Sequence, residues 1–128
     1  MLAAARCYPT MPASDLERAR HFYEEVLGLE PARVTPAGVF YALAGGTQLL
    51  LFPSSGRSSG DHTQMGFRVD DLDAEIADLR LRGVTFETYD FPGFDPGTNI
   101  ATSAGGRSAW FRDTEGNLIG VVQMDERS

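Results

Sequence analysis

The chain has 128 residues, of which 42% are hydrophobic and 23% are charged, and this suits one globular domain with a buried core. Its formal net charge is −7 and every basic residue except histidine is arginine, a balance that argues against nucleic acid as a partner. No apolar run approaches the roughly 18 residues of a membrane span, and no signal peptide is recognisable, so a cytoplasmic protein is expected. The single cysteine, Cys7, excludes an internal disulfide and a thiolate zinc cluster.

The first predicted helix covers residues 14–28. Ser14 with Glu17 forms a capping box at its start, and Gly28 supplies the left-handed stop. His21 lies on the polar side and is predicted to be a solvated surface residue. The apolar stripe consists of Leu16, Ala19, Phe22, Tyr23, Val26 and Leu27.

A second helix follows the same plan. Asp70 or Asp71 caps it and Gly83 ends it, and its stripe consists of Leu72, Ile76 and Leu79. A strand-like segment precedes each helix, at residues 7–13 and 63–69, and a weaker strand follows each, at 30–35 and 84–89. Each half then closes on a hairpin with a glycine in its connection, formed by residues 39–43 with 48–52 and by 108–112 with 118–122.

The order β-α-β-β-β therefore occurs twice. Asp15 matches Asp71 at an offset of 56 residues, and Gly46 matches Gly116 at an offset of 70. The second offset is larger than the first because the second half contains a Pro/Gly-rich insertion at residues 90–107. The single domain, residues 1–128, is divided into module one (5–53), a serine-rich linker (54–61) and module two (62–124).

The predicted fold class is α+β. Each module covers one sheet face with its helix and leaves the other face bare, so pairing around a pseudo-twofold axis lets two curved mixed sheets surround a shared cavity. A partner chain often completes such an arrangement, and a homodimer is expected.

Three segments resemble motifs of the vicinal-oxygen-chelate superfamily, which includes glyoxalases, bleomycin-resistance proteins and extradiol dioxygenases. Residues 15–29 resemble its first-helix signature and residues 67–72 its second-module entry. Residues 110–119 resemble its closing hairpin, with Thr114 where proline is usual. The resemblance covers nearly the whole chain and implies a single-domain member of that fold.

In the metal-dependent members, four inward-facing strand positions carry His, Gln or Glu ligands. The resemblance places these positions on Tyr8, Leu50, Gln64 and Gly120. Leu50 and Gly120 cannot bind a metal through a side chain, and tyrosine is a rare ligand. The resemblance therefore implies that the metal site has been lost, and no cofactor is expected.

Few other residues of the sequence could complete a metal site. His62 directly follows the linker and would face inward only after a register slip, so a metal on His62 or Gln64 stays an open alternative. Glu115 lies in a hairpin turn and is predicted to be a solvated acid.

Because side chains alternate along a strand, neighbours two residues from the four positions are predicted to share their face. Trp110 is placed on the face of Gly120, and Tyr41 on the face of Leu50. Phe91 and Phe94 of the insertion are predicted either to fold over the cavity mouth or to lie in a surface loop that packs on a partner subunit. The predicted ligand-binding residues are Tyr8, Thr10, Tyr41, Gln48, Leu50, Phe52, Gln64, Arg68, Phe91, Phe94, Trp110 and Gly120.

Two further expectations concern this face. Pro9 and Pro12 each remove a ladder donor from the first strand, so that strand is predicted to be bulged or at a sheet edge. The aromatic side chains are predicted to line a small-molecule pocket. The alternative is that they fill the barrel as core.

Three functions are considered. The leading hypothesis is a metal-free small-molecule-binding protein that sequesters an antibiotic or an aromatic metabolite, in the manner the resemblance implies for bleomycin-resistance proteins. The acidic charge is compatible with a cationic ligand and also with ordinary solubility. The alternatives are an enzyme of the same superfamily, for which no catalytic residues are assigned, and a ligandless dimerisation module.

Overall fold

The computed structural model describes residues 1–56 and 60–125, so residues 57–59 of the predicted linker lie outside the described residues. The chain forms two compact units, residues 1–57 and 58–128. No helix of the described ranges is long and apolar enough to cross a membrane.

In its described residues, the first unit is a four-stranded mixed sheet with one α-helix. Strand β1 is parallel to β4, the remaining pairs are antiparallel, and the strand order is β1-β4-β3-β2. β1 therefore lies at an edge of this sheet, as its prolines predict. The elements are β1 (Thr10–Ala13), α1 (Leu16–His21), a π-helical turn (Phe22–Val26), β2 (Pro31–Thr35), β3 (Gly38–Ala42) and β4 (Gln48–Pro53).

The second unit repeats this plan with one extra short strand. Its order is β5-β9-β8-β7-β6, and β5 is parallel to β9. The α+β fold with two mixed sheets, each built from a βαβββ-like module, is thereby confirmed. The elements are β5 (Thr63–Arg68), α2 (Leu72–Leu81), β6 (Phe94–Asp95), β7 (Ile100–Ser103), β8 (Gly106–Arg112) and β9 (Leu118–Met124).

Aspartates cap both helices. The Asp15 carboxylate accepts the backbone N–H of Arg18 at 3.0 Å, and the Asp71 carboxylate accepts that of Ala74 at 3.1 Å. The predicted capping box at Ser14 is therefore wrong by one residue, and of the two candidates in the second module Asp71 is confirmed. A carboxylate is favoured at this position because it faces unpaired N–H groups at the positive end of the helix dipole.

The first helix widens before it ends. The N–H of Leu27 donates to the carbonyl of Phe22 at 2.9 Å, a π-helical bond, and Gly28 with φ of 74° then stops the helix as predicted. The wider turn places Tyr23, which is fully buried, in a stack over Tyr41. The π-helical turn thus packs the end of the first helix against the sheet through the contact of Tyr23 with Tyr41.

Each helix covers one face of its own sheet. In the first unit the buried face carries Met11, Ala13, Val39, Tyr41, Leu49 and Leu51. In the second unit the predicted stripe of Leu72, Ile76 and Leu79 is buried, together with Met65, Ala109, Phe111, Ile119 and Val121. The alternate residues of the same strands point to the opposite face, and that face positions the candidate site.

The strand predicted at residues 84–89 is wrong. Only an isolated bridge, between Phe86 and Phe111, forms there, and β7 from the Pro/Gly-rich insertion takes the place beside β8. The reason is a turn at Asn99, whose φ is 64° and whose side-chain amide donates to the Glu87 carbonyl. This turn carries the chain back along β8 and folds the insertion into the β6–β7 hairpin.

Candidate ligand-binding site

A row of four side chains crosses the helix-free face of the first sheet. Thr10 of β1 lies opposite Leu50 of β4, Leu50 lies opposite Phe40 of β3, and Phe40 lies opposite Arg33 of β2. The predicted residues Gln48 and Phe52 share this face, since they lie two positions from Leu50 on the same strand. The structure thus places Thr10, Gln48, Leu50 and Phe52 together, as expected.

Tyr41 does not belong to this face, and its predicted placement there is wrong. It lies opposite Leu49, is fully buried, and points toward α1. Phe40 occupies the expected place. The sequence holds the signal for this assignment, because the 70-residue offset that relates Gly120 to Leu50 relates Trp110 to Phe40 rather than to Tyr41.

Tyr41 instead anchors the π-helical turn. Its hydroxyl donates to the Glu24 carboxylate at 2.8 Å, and the Arg20 guanidinium donates to the same oxygen at 2.8 Å. Burial raises the pKa of Tyr41, and the neighbouring Glu24 carboxylate raises it further. Burial acts to raise the pKa of Glu24, but the hydrogen bonds from Arg20 and Tyr41 outweigh it, so this pKa is lowered overall. These contacts give Tyr41 a structural role.

Replacement of Tyr41 by phenylalanine is expected to lower the free energy of unfolding by about 1–2 kcal/mol at neutral pH, because Glu24 loses a hydrogen bond to its charged form. Since the pKa of Glu24 is lowered in the folded state, this stabilisation is present above the ordinary glutamate value of 4.5 and is lost as the pH falls through the lowered folded value. Urea denaturation of both proteins across the acid range measures the difference. A difference that stays constant with pH would contradict the assignment.

A cleft of about 620 Å³ opens on the helix-free face of the first unit. The rings of Tyr8 and Phe40 meet edge to face in it, with centroids 5.6 Å apart, and Tyr8 remains 45% exposed. The described lining residues are Arg6, Cys7, Tyr8, Arg33, Phe40, Gly45, Gly46, Thr47 and Gln48. Of the twelve predicted binding residues, Tyr8 and Gln48 line this cleft. The other seven lining residues, which include Arg6, Arg33 and Phe40, were not predicted.

Tyr8 reaches the cleft from outside the sheet. Strand β1 begins at Thr10, so residues 7–9 of the predicted strand precede it, although the carbonyl of Pro9 still accepts the N–H of Leu50 at 3.0 Å. This last backbone contact holds the chain beside β4 and aims the preceding ring at Phe40.

The second sheet carries the equivalent row on its own helix-free face. Gly66 lies opposite Gly120, and Gly120 lies opposite Trp110, as predicted for the last pair. The indole N–H of Trp110 donates to the Thr63 hydroxyl at 3.1 Å, and atoms of the ring lie 3.3–3.4 Å from the point where a Gly120 side chain would begin. The absence of a side chain at Gly120 therefore lets the indole lie on the sheet.

Two aromatic rings contact this indole directly, and a third packs on those two. The centroid of Trp110 lies 5.5 Å from that of Tyr89 and 6.4 Å from that of Phe91, and Phe94 packs on both Tyr89 and Phe91. The insertion thus brings Phe91 into contact with Trp110 and Phe94 into contact with Phe91. Tyr89 was missed, since it lies in the segment that was predicted as a strand. Closure of a cavity mouth by these rings remains a prediction.

Gln64 and Arg68, the two other predicted residues of the second unit, are less closely associated with the row that contains Gly120 and Trp110. Gln64 is half-buried at the irregular register between Thr63 and Met65. Arg68 lies opposite Val122, on the face of Gly120, and is exposed. Gln64 therefore does not continue the regular alternation on which its placement rested.

The four positions implied for metal ligands carry an unsuitable donor set. Leu50 and Gly120 have no donor atom in their side chains, and His62 is exposed in the segment before β5. In residues 1–56 and 60–125, no three His, Cys, Asp or Glu side chains lie close enough together to hold a metal ion. The residues present do not fit the metal that other members of the implied superfamily use.

The fold and the sequence pattern define the class of protein. Residues 7–121 match the model of the glyoxalase/bleomycin resistance protein/dioxygenase superfamily. The chain therefore belongs to this superfamily, as the motifs indicate. No curated protein matches the chain significantly.

Solved structures give the same fold. A glyoxalase/bleomycin resistance protein from Streptomyces sp. CB03234 is 30% identical, with a TM-score of 0.67 over 93% of this chain and 100% of the other. TnmS3, an antibiotic binding protein from the same organism, is 28% identical, with a TM-score of 0.70 over 95% and 98%. The fosfomycin resistance protein FosX from Listeria monocytogenes has a TM-score of 0.74 over 97% and 94% but is 14% identical, a likeness of fold alone.

Proposed function

We propose that this protein binds a small organic molecule with an aromatic ring, and does so without a metal ion. The observation that carries the proposal is the cleft of the first unit, in which Tyr8 and Phe40 form an aromatic wall with Gln48 as a polar point. Apolar walls with a few fixed polar groups are typical of small-molecule sites. Tyr8 is exposed and Phe40 is half-buried, and this also favours binding over a filled core, because core side chains are excluded from water.

The donor set supports the metal-free part of the proposal. Half of the four implied ligand positions carry leucine or glycine, and at Gly120 atoms of the neighbouring indole lie only 3.3–3.4 Å from the point where a ligand side chain would begin. A metal held by the two remaining side chains, Tyr8 and Gln64, would lack the three protein ligands usual for a catalytic site.

The comparisons support binding rather than name a ligand. TnmS3 is an antibiotic binding protein and is 28% identical to this chain along almost its whole length. Function does not follow from fold, so the similarity makes sequestration of an antibiotic or another aromatic compound the hypothesis to test. A homodimer, expected from the pseudo-twofold repeat, is part of the same proposal.

The test uses 2-naphthamide, a neutral aromatic probe, titrated into the full chain by isothermal calorimetry. Saturable binding is expected, and Phe40→Ala is expected to weaken it at least tenfold, because removing a ring that the ligand contacts typically costs more than 1 kcal/mol. Metal analysis of the purified protein should find less than one metal ion per chain.

Val34→Ala is the matched control. Val34 is 62% exposed on β2, opposite Val39 on the helix-covered side of the sheet, and its loss is expected to leave binding unchanged. Equal loss in both variants, or no saturable binding by the unmodified chain, would contradict the proposal. A stoichiometric metal that disappears on Gln64→Ala would contradict its metal-free part.

A further inference from the structure

We infer that the ligand carries an anionic group beside its aromatic ring, held by Arg33 and Arg6 at the cleft of the first unit. This inference rests on the proposed function and adds the charge of the ligand to it. It runs against the cationic ligand with which the net charge of the whole chain is compatible.

Arg33 is positioned over the aromatic wall. Its guanidinium carbon lies 4.3 Å from the centroid of the Phe40 ring, which lies opposite it on β3. A guanidinium stacked on a ring keeps its N–H donors at the edge of its plane, where a carboxylate or phenolate accepts them. A ligand ring packed beside Phe40 would therefore bring an attached acidic oxygen close to the Arg33 guanidinium.

The charge of the cleft differs from that of the chain. The described lining residues include two arginines, Arg6 and Arg33, and no aspartate or glutamate, although acidic residues outnumber basic ones by 18 to 11 in the sequence. Within the described ranges, neither arginine forms an ion pair with a carboxylate. Both positive charges therefore remain available to a ligand.

The local charges decide which ligand is favoured. At physiological ionic strength the interaction of exposed charges is screened over about 8 Å, so carboxylates elsewhere on the surface contribute little inside the cleft. A cation on the ligand would lie beside two guanidinium groups, whereas an anion would form charge-assisted hydrogen bonds with them. Gln48 and the Tyr8 hydroxyl add neutral polar atoms and do not change this sign.

The experiment compares three probes with the same ring and different charges: 2-naphthoate, 2-naphthamide and protonated 2-(aminomethyl)naphthalene. Titrated at neutral pH and low salt, naphthoate is expected to bind about tenfold more tightly than the amide, with the amine weakest. The preference for naphthoate over the amide should shrink as salt is added. Arg33→Met should remove most of this preference while leaving the affinity for the amide within about twofold, because methionine still packs on Phe40.

Arg18→Met is the matched control, since it removes the same charge from α1 on the covered side of the same sheet. It is expected to keep the preference for naphthoate. Equal binding of all three probes, a preference for the amine, or an unchanged preference in both Arg33→Met and Arg6→Met would overturn the inference while the proposed function stands. If no probe binds, the proposed function fails and the inference fails with it.

Discussion

Replacement of Gly38 by alanine is expected to lower the free energy of unfolding by about 3–5 kcal/mol and to abolish ligand binding. Gly38 begins β3 with a φ of 139°, a backbone conformation that a residue with a side chain rarely adopts. A methyl group there would overlap the carbonyl oxygen of Leu51 and lie 2.9 Å from the Cα of Phe52. Backbone strain and overpacking each cost about 1–3 kcal/mol, and both apply here.

The functional consequence follows from the register. The overlap lies between β3 and β4, the two strands that place Phe40 opposite Leu50 in the candidate site. If β3 and β4 separate to admit a methyl group, the Phe40 ring is expected to move away from the edge of Tyr8.

Gly45→Ala supplies the control for the Gly38 prediction. Gly45 also has a positive φ, 68°, but a methyl group there would meet no atom of the described residues within 4 Å. Only the left-handed backbone is then penalised, at about 1 kcal/mol. Urea denaturation followed by far-ultraviolet circular dichroism gives both values. Equal losses in the two variants would show that contact with β4 does not set the requirement for glycine at position 38.

The sequence predicted most of the fold because the signals for it are local and occur twice. Both helices have an apolar stripe and a terminal glycine, and both hairpins have a glycine at matching positions, Gly46 and Gly116, with positive φ. The error at Ser14 could have been avoided by the same repeat, since Asp15 aligns with Asp71 and both cap a helix. Comparing the two modules identifies the capping residue, which the sequence of the first helix alone leaves undecided.

The candidate site was predicted less completely because its residues depend on register. The register shifts on β2 between Pro31 and Arg33, so alternation cannot be counted through to Arg33. An error of one residue placed Tyr41 where Phe40 lies, and a one-residue slip moves a side chain to the other face of a sheet. The local charge of the cleft could not be read from the net charge, because only the fold determines which arginines approach it.

The insertion shows a similar limit. Pro92, Gly93, Pro96 and Gly97 indicate a loop by composition, yet the segment contributes two strands to the second sheet. The decisive contacts are those of Asn99, which bonds to Glu87 and accepts a hydrogen bond from Arg80 of α2. Such contacts join residues far apart in sequence, so composition alone cannot reveal them.

Replacement of Asp113 by alanine is expected to cost about 3 kcal/mol of unfolding free energy. Asp113 is 6% exposed at the end of β8, and its carboxylate accepts the N–H of Glu115 at 2.8 Å, the N–H of Asn117 at 2.9 Å and the side-chain amide of Asn117 at 2.8 Å. Asn117 is fully buried, so water cannot replace the lost acceptor at its side chain. Each buried donor left without a partner costs about 1–3 kcal/mol.

The effect is expected to reach the aromatic rings packed around Trp110, because the β8–β9 hairpin that Asp113 closes also pairs Trp110 with Gly120. Trp110 is the single tryptophan of the chain, so its fluorescence reports the environment of this ring as well as unfolding. Asp113→Asn keeps one acceptor oxygen and should lose less stability than Asp113→Ala. Thr114→Ala removes an exposed hydroxyl from the same turn and should change stability by less than about 0.5 kcal/mol. If Asp113→Ala were as stable as Thr114→Ala, the backbone bonds of the hairpin alone would hold the indole against Gly120.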